Sequence, residues 1–202
     1  MLTNDQIEDI APKMGIPLEF CGFKDLLPKK LKPNKYYMIN LEDADDEEGP
    51  NEGSHWTGFQ VKKANNGHVG AVYFDSYGKG PPQIVTKLIK ENFGVKPWHP
   101  TKDVQSIVNN ACGFWQLAYA HFINDKRFMS NNLKTDTEMF LLPFDDLNDS
   151  LDYQKNEWIL KHFFLSKDNP KKVPLPKELI GTIPSKETEK GEENKFNNNF
   201  AP

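Results

Sequence analysis

Only two of the 202 residues are cysteines, Cys21 and Cys112. That is too few for a disulfide framework. No Cys-x-x-Cys pair occurs and no two histidines stand four residues apart, so neither a structural zinc site nor any other metal is expected. Long apolar runs are also missing. None reaches the roughly 18 residues a membrane-spanning helix needs, so no membrane partner is expected. The first residues, MLTNDQIEDIAPKMGI, have neither the basic start nor the apolar stretch of a secretory leader. A reducing compartment is therefore expected for both thiols. Positive charge is not in excess: the net charge is −4, which gives no general reason to expect nucleic-acid binding. The one basic cluster (Lys24, Lys29, Lys30, Lys32, Lys35) reads as a solvated loop or as a local nucleic-acid patch.

What is present supports one domain. At 37 % hydrophobic residues the chain can build a single core. Thr3 and Gln6 fit a capping box, with Ile7, Ile10 and Met14 on one helical side. Pro12 predicts that this helix is short and closes near Gly15. Residues 16–34 read as irregular, residues 35–41 as a strand, and residues 43–53 as an acidic surface loop. Residues 55–63 and 68–76 flank Asn65-Asn66-Gly67 and read as a hairpin. Residues 81–92 read as an amphipathic helix, 95–98 and 104–108 as short strands, and 112–124 as a buried central helix. Two further helices are expected around 137–142 and 151–165, the second with Leu151, Trp158, Ile159, His162 and Phe163 setting its period. The domain is expected to span residues 1–167. Residues 168–202, rich in Pro, Lys, Glu and Asn, read as a flexible tail.

The stretch QSIVNNACGFW carries the chemistry. Cys112 opens the apolar helix, where the positive end of the helix dipole favours a thiolate, the nucleophilic form of cysteine. The backbone N–H groups of Cys112 and Gly113 can face a developing oxyanion, and Gly113 leaves room for a substrate carbonyl. His55, after Gly53-Ser54, is the candidate base, and Trp56 can wall the site from water. Asp75 closes the second hairpin strand, where its carboxylate can fix the imidazole tautomer. The hairpin register brings residue 55 near residue 75. Gln105, seven residues before Cys112, can donate a side-chain N–H to the oxyanion. Each residue also has a plainer reading: a buried structural cysteine, a loop histidine, a turn aspartate, a polar strand-edge glutamine. Their order along the chain favours the catalytic reading.

His-Trp, a carboxylate closing the next strand, then Gln-x6-Cys-Gly opening a helix: this pattern resembles the adenovirus maturation protease family. Its relatives include proteases of virophages and Polinton-type elements and, more distantly, the deconjugating proteases of ubiquitin-like proteins. The segment GIPLEFCGFKDLLPKKL, with Gly22 and Asp25, adds to the resemblance, which covers about residues 1–125. It implies an α+β, papain-like (adenain-like) core, a central mixed sheet packed by helices, with the nucleophile at the N-terminus of the buried helix. It implies His55 as base, Asp75 as orienting carboxylate, Gln105 as oxyanion donor and Cys112 as nucleophile, with Trp56, Asp25 and Gly113 meeting the peptide.

The function implied is a monomeric cysteine endopeptidase without cofactors. It would cleave viral capsid and scaffold precursors at Gly-containing sites, in the virion and the host-cell cytoplasm. Two departures stand out. Asp75 is one methylene shorter than the adenoviral carboxylate. Residues 90–104 contain no cysteine, so the family's disulfide-linked activating peptide has no anchor, and the acidic net charge argues against a DNA activator. A deconjugating isopeptidase and an inactive binding module of the same fold are the alternatives.

Overall fold

The computed structural model describes residues 1–46, 49–50, 53–130, 132–148 and 153–165. The tail expected at 168–202 lies outside them. Helix α1 (Asn4–Lys13) starts with the expected capping box: Thr3 accepts from the Gln6 N–H and the Gln6 side chain accepts from the Thr3 N–H. Pro12 sits inside its last turn, and Gly15 turns the chain out with φ 71°. Strand β1 (Leu18–Phe23) follows, then a single 3-10 turn at Lys24–Leu26, β2 (Tyr36–Asn40), and the short pair β3 (Asp45–Asp46) and β4 (Gly49–Pro50). The hairpin β5 (Trp56–Lys63) and β6 (Val69–Phe74) comes next. Four helices complete the order: α2 (Gln83–Phe93), α3 (Cys112–Asn124), α4 (Leu133–Leu141) and α5 (Gln154–Leu165).

The main sheet has the order β1-β2-β5-β6 and is mixed: β1 runs parallel to β2, and the other pairs are antiparallel. Both faces are covered, so the strands alternate between two apolar layers. Tyr36, Met38, Trp56, Val72 and Phe74 face α1, α3, α4 and α5. Tyr37, Ile39, Phe59, Val61, Ala71 and Tyr73 face α2 through Val85 and Ile89. Helix α3 lies close on β5, and Gly58 permits the approach: a Cβ there would stand 2.3 Å from the Tyr36 hydroxyl and 2.8 Å from Gln116 Oε1. The Tyr36 hydroxyl instead donates to Gln116 Oε1 (2.8 Å), and Gln116 donates to Phe74 O. The chain is thus α+β, as expected, and no helix among the described residues is long and apolar enough to cross a membrane.

Several local expectations need correction. Residues 16–34 are not irregular throughout, because LEFCGF finds its hydrogen bonds on β2, a partner that local sequence does not reveal. The acidic segment holds the β3–β4 pair within it. Residues 104–108 form no strand: the N–H groups of Val104 and Gln105 both go to one acceptor, Ser76 O. Residues 95–98 make only one parallel bridge, Val72↔Trp98, next to Pro97, which has no N–H to extend a ladder. Helix α4 starts at Leu133, before residue 137, because Asn132 accepts from the N–H groups of Lys134 and Thr135. Leu151, expected to open the last helix, lies outside the described residues; in α5 the buried positions are Asn156, Leu160, Lys161 and Phe164, with Trp158, Ile159, His162 and Phe163 half-buried beside them. Asn156 hides among apolar residues because it bonds Val104 O, Asp145 O and the Asp145 N–H.

Candidate active site

Four elements meet at one end of the sheet. His55 immediately precedes β5, and its approach is set by the buried Asn40 at the end of β2. Asn40 Oδ1 accepts from the N–H groups of Glu42 and Ser54, both at 3.1 Å. Gly53 lies against the same side chain with φ 81°, and the Leu41 N–H donates to His55 O. Asp75 immediately follows β6. Extending the ladder beyond Gly58↔Phe74 places residues 55–57 opposite 75–77.

There His55 Nε2 stands 2.8 Å from Asp75 Oδ1, with the imidazole 12 % exposed and the carboxylate 1 %. The same oxygen accepts from the Tyr77 N–H at 2.9 Å. The Tyr77 ring stacks on the imidazole, with centroids 4.5 Å apart and planes at 22°. With Nε2 given to Asp75, Nδ1 is the nitrogen left for the Cys112 thiol. Burial works to lower the basicity of His55. The hydrogen bonds and charges of Asp75 and Cys112 outweigh it and push the pKa up from 6.5 to about 9. The balance favours the protonated ring, which lies against the Asp75 carboxylate. Tyr77 titrates above its ordinary value, because of burial first and then the charges at Cys112, Asp75 and Asp103.

Cys112 is the first residue of α3 and is 2 % exposed. The Trp56 N–H donates to its Sγ at 3.5 Å, so the residue after the histidine also supports the sulfur. No side chain caps α3 at Ala111. The Phe114 and Trp115 N–H groups return to Ala111 O. Among the described residues no acceptor serves the N–H groups of Cys112 and Gly113, which point from the positive end of the helix. Gly113 makes room here for Leu2: a Cβ would lie 3.1 Å from the Leu2 side chain. Leu2 O in turn accepts from the Trp56 indole N–H at 2.8 Å. The N-terminal strap and Trp56 thus roof the start of α3.

Gln105 is 1 % exposed and belongs to the same network without touching the His55–Asp75 pair. Its Oε1 accepts from Ser76 Oγ at 2.7 Å. Its Nε2 donates to the Tyr77 hydroxyl at 3.2 Å and to Asn109 O at 3.0 Å. Donation to a substrate oxyanion requires exchanging one of these bonds. Asp25 sits at the same sheet end, on the turn after β1, where its carboxylate accepts from the Ala44 N–H at 3.0 Å. Among the described residues it has no hydrogen bond or ion pair with His55 or Cys112.

Tyr77, Asn40, Ser76, Asn109 and Leu2 were not anticipated. Asn40 had a visible signal, a polar side chain ending the apolar run YYMIN. Asn109 sits three residues before the helix start and accepts from the Ala111 N–H, holding the turn into Cys112. The others act through contacts between segments distant in sequence: Ser76 and Tyr77 with Gln105, Tyr77 with His55, and Leu2 with Gly113 and Trp56. No group of three or more His, Cys, Asp or Glu among the described residues is placed to hold a metal ion. No protein-family model matches the chain, and a search of curated proteins finds no match.

Proposed function

We propose that the chain is a cysteine endopeptidase with a papain-like, adenain-like core. In this reading it processes capsid and scaffold precursors at Gly-containing sites during virion maturation, as a monomer in the virion and the host-cell cytoplasm. One observation carries the reading: His55 pairs with Asp75 at 2.8 Å, and the Trp56 N–H next to it donates to Cys112 Sγ at the uncapped start of a buried helix. The Gln-x6-Cys-Gly and His-Trp resemblance supplies the substrate class.

The reaction is acyl transfer. Cys112 Sγ, as thiolate, attacks the peptide carbonyl, and the S–C bond forms as the C=O π pair moves onto oxygen. The N–H groups of Cys112 and Gly113, which have no acceptor among the described residues, receive that charge. Gln105 joins them by releasing Tyr77 or Asn109, a donor worth about 3 kcal/mol in comparable sites. His55 passes its proton to the leaving amine as the C–N bond breaks. It then takes a proton from water, whose oxygen attacks the thioester, and the thiolate leaves. Asp75 and the Tyr77 ring hold the imidazole in place throughout.

The test is incubation of the protein and its Cys112→Ala variant with capsid precursors and with ubiquitin-like C-terminal fluorogenic substrates. Precursor cleavage lost in the variant supports the proposal. Cleavage retained by Cys112→Ala refutes the nucleophile, and turnover confined to the ubiquitin-like substrates points to a deconjugating enzyme.

A further inference from the structure

A concavity lies at the opposite end of the β5–β6 hairpin from His55 and Asp75. It encloses about 570 Å³, within the range small-molecule sites occupy, about 300–1,000 Å³. Its walls come from the last residues of β5, the first of β6, the segment before Trp98, the C-terminus of α3 and the N-terminus of α4. Helix α3 begins at Cys112 and ends at Asn124, which lines this cavity. Its 13 residues set the two regions about 20 Å apart along the axis.

The charge pattern of the lining is one-sided. Although the chain carries net −4, Lys62, Lys63, Lys96 and Lys134 line the cavity and no carboxylate does. Lys62 forms the floor: 15 % exposed, 3.5 Å from the fully buried Asp136, and donating to Ile123 O at 2.8 Å. Its charge is locally balanced. Lys63 and Lys96 are exposed and have no ion-pair partner among the described residues. Lys134 stands 5.5 Å from the centroid of the Trp98 ring and 3.8 Å from Glu138. The positive end of α4 adds to the same field, since Asn132, Leu133 and Lys134 open both the helix and the cavity wall. Beside these cations lie apolar surfaces of Val69, Ala71, Val95 and Trp98. Gln60 and Asn124 lie at the same place, paired through their amides at 2.8 and 3.3 Å. A ligand suited to this lining combines anionic charge with a flat, partly apolar body.

We propose that this cavity binds a nucleoside phosphate, with the phosphate groups at Lys63, Lys96 and Lys134 and the base against the Trp98 side. Lysines serve phosphate as mobile point charges, so several around one hollow give affinity without a rigid cradle. The site shares no residue with the proposed catalytic machinery, so it stands or falls separately from the peptidase reading.

The experiment is isothermal titration of the full chain with ATP, adenosine and tripolyphosphate. It is repeated on Lys63→Glu/Lys96→Glu, whose changes are at exposed positions, with circular dichroism to check folding. The expected result is saturable one-to-one ATP binding with a Kd below about 1 mM, weakened at least tenfold in the variant. Adenosine and tripolyphosphate are each expected to bind at least tenfold more weakly than ATP. Absence of saturable ATP binding, or equal binding by the folded variant, overturns the proposal. Tripolyphosphate binding as tightly as ATP overturns the nucleoside part of it.

Discussion

Replacing Asp75 by Asn tests the electrostatic centre of the site. Oδ1 of Asp75 accepts from both His55 and the Tyr77 N–H, so asparagine keeps an acceptor oxygen and the shape but removes the charge. The rise of His55 from 6.5 to about 9 corresponds to about 3 kcal/mol favouring the protonated ring. Asp75 and Cys112 share that effect against the opposing cost of burial. Without the carboxylate the cost of burial is met by Cys112 alone, and the His55 pKa is expected to fall by about two pH units. NMR titration of the His55 ring protons reads this directly.

Stability follows with a definite sign. Because the folded pKa lies above the unfolded one, the stabilisation is complete below about pH 6.5. It disappears as pH rises toward 9. Urea unfolding followed by tryptophan fluorescence at about pH 6 and about pH 9.5 should therefore show the wild type losing about 1–3 kcal/mol more than Asp75→Asn. A His55 pKa unchanged in the variant, or identical losses for both proteins, would show that Asp75 does not hold the His55 charge.

Gly58→Ala forces a methyl to within 2.3 Å of the Tyr36 hydroxyl, and the urea midpoint should drop by the equivalent of about 2–3 kcal/mol. Leu2→Ala thins the roof over Gly113. Iodoacetamide should then alkylate Cys112 several-fold faster, with Cys21, whose thiol burial pushes up to about 12, as the slow internal reference. Gln105→Ala should lower kcat by about 10²–10³ with little change in KM, measured on a precursor peptide. A loss confined to KM would place Gln105 in substrate binding.

The legible parts of the fold are those with local signals. The Thr3–Gln6 capping box, the hairpin around Asn65-Asn66-Gly67, the amphipathic α2 and the apolar α3 all write their periodicity or turn chemistry into adjacent residues. β1 does not, because its partner is β2 across an intervening loop. The buried face of α5 was displaced because Asn156 spends a buried position on hydrogen bonds rather than apolar contact. At the site, the hairpin register was enough to bring His55 to Asp75. Tyr77 and Leu2 needed the third dimension: one stacks on the imidazole, and the other packs on Gly113 from the far end of the chain.

The most direct measurement is terminus mapping by mass spectrometry after capsid precursor proteins are incubated with the wild type, Cys112→Ala and His55→Ala. The peptidase reading requires new termini at Gly-containing sites with the wild type and none with either variant. Cleavage that survives in Cys112→Ala would contradict it. So would a wild-type protein that leaves every precursor intact while its Cys112 is freely alkylated.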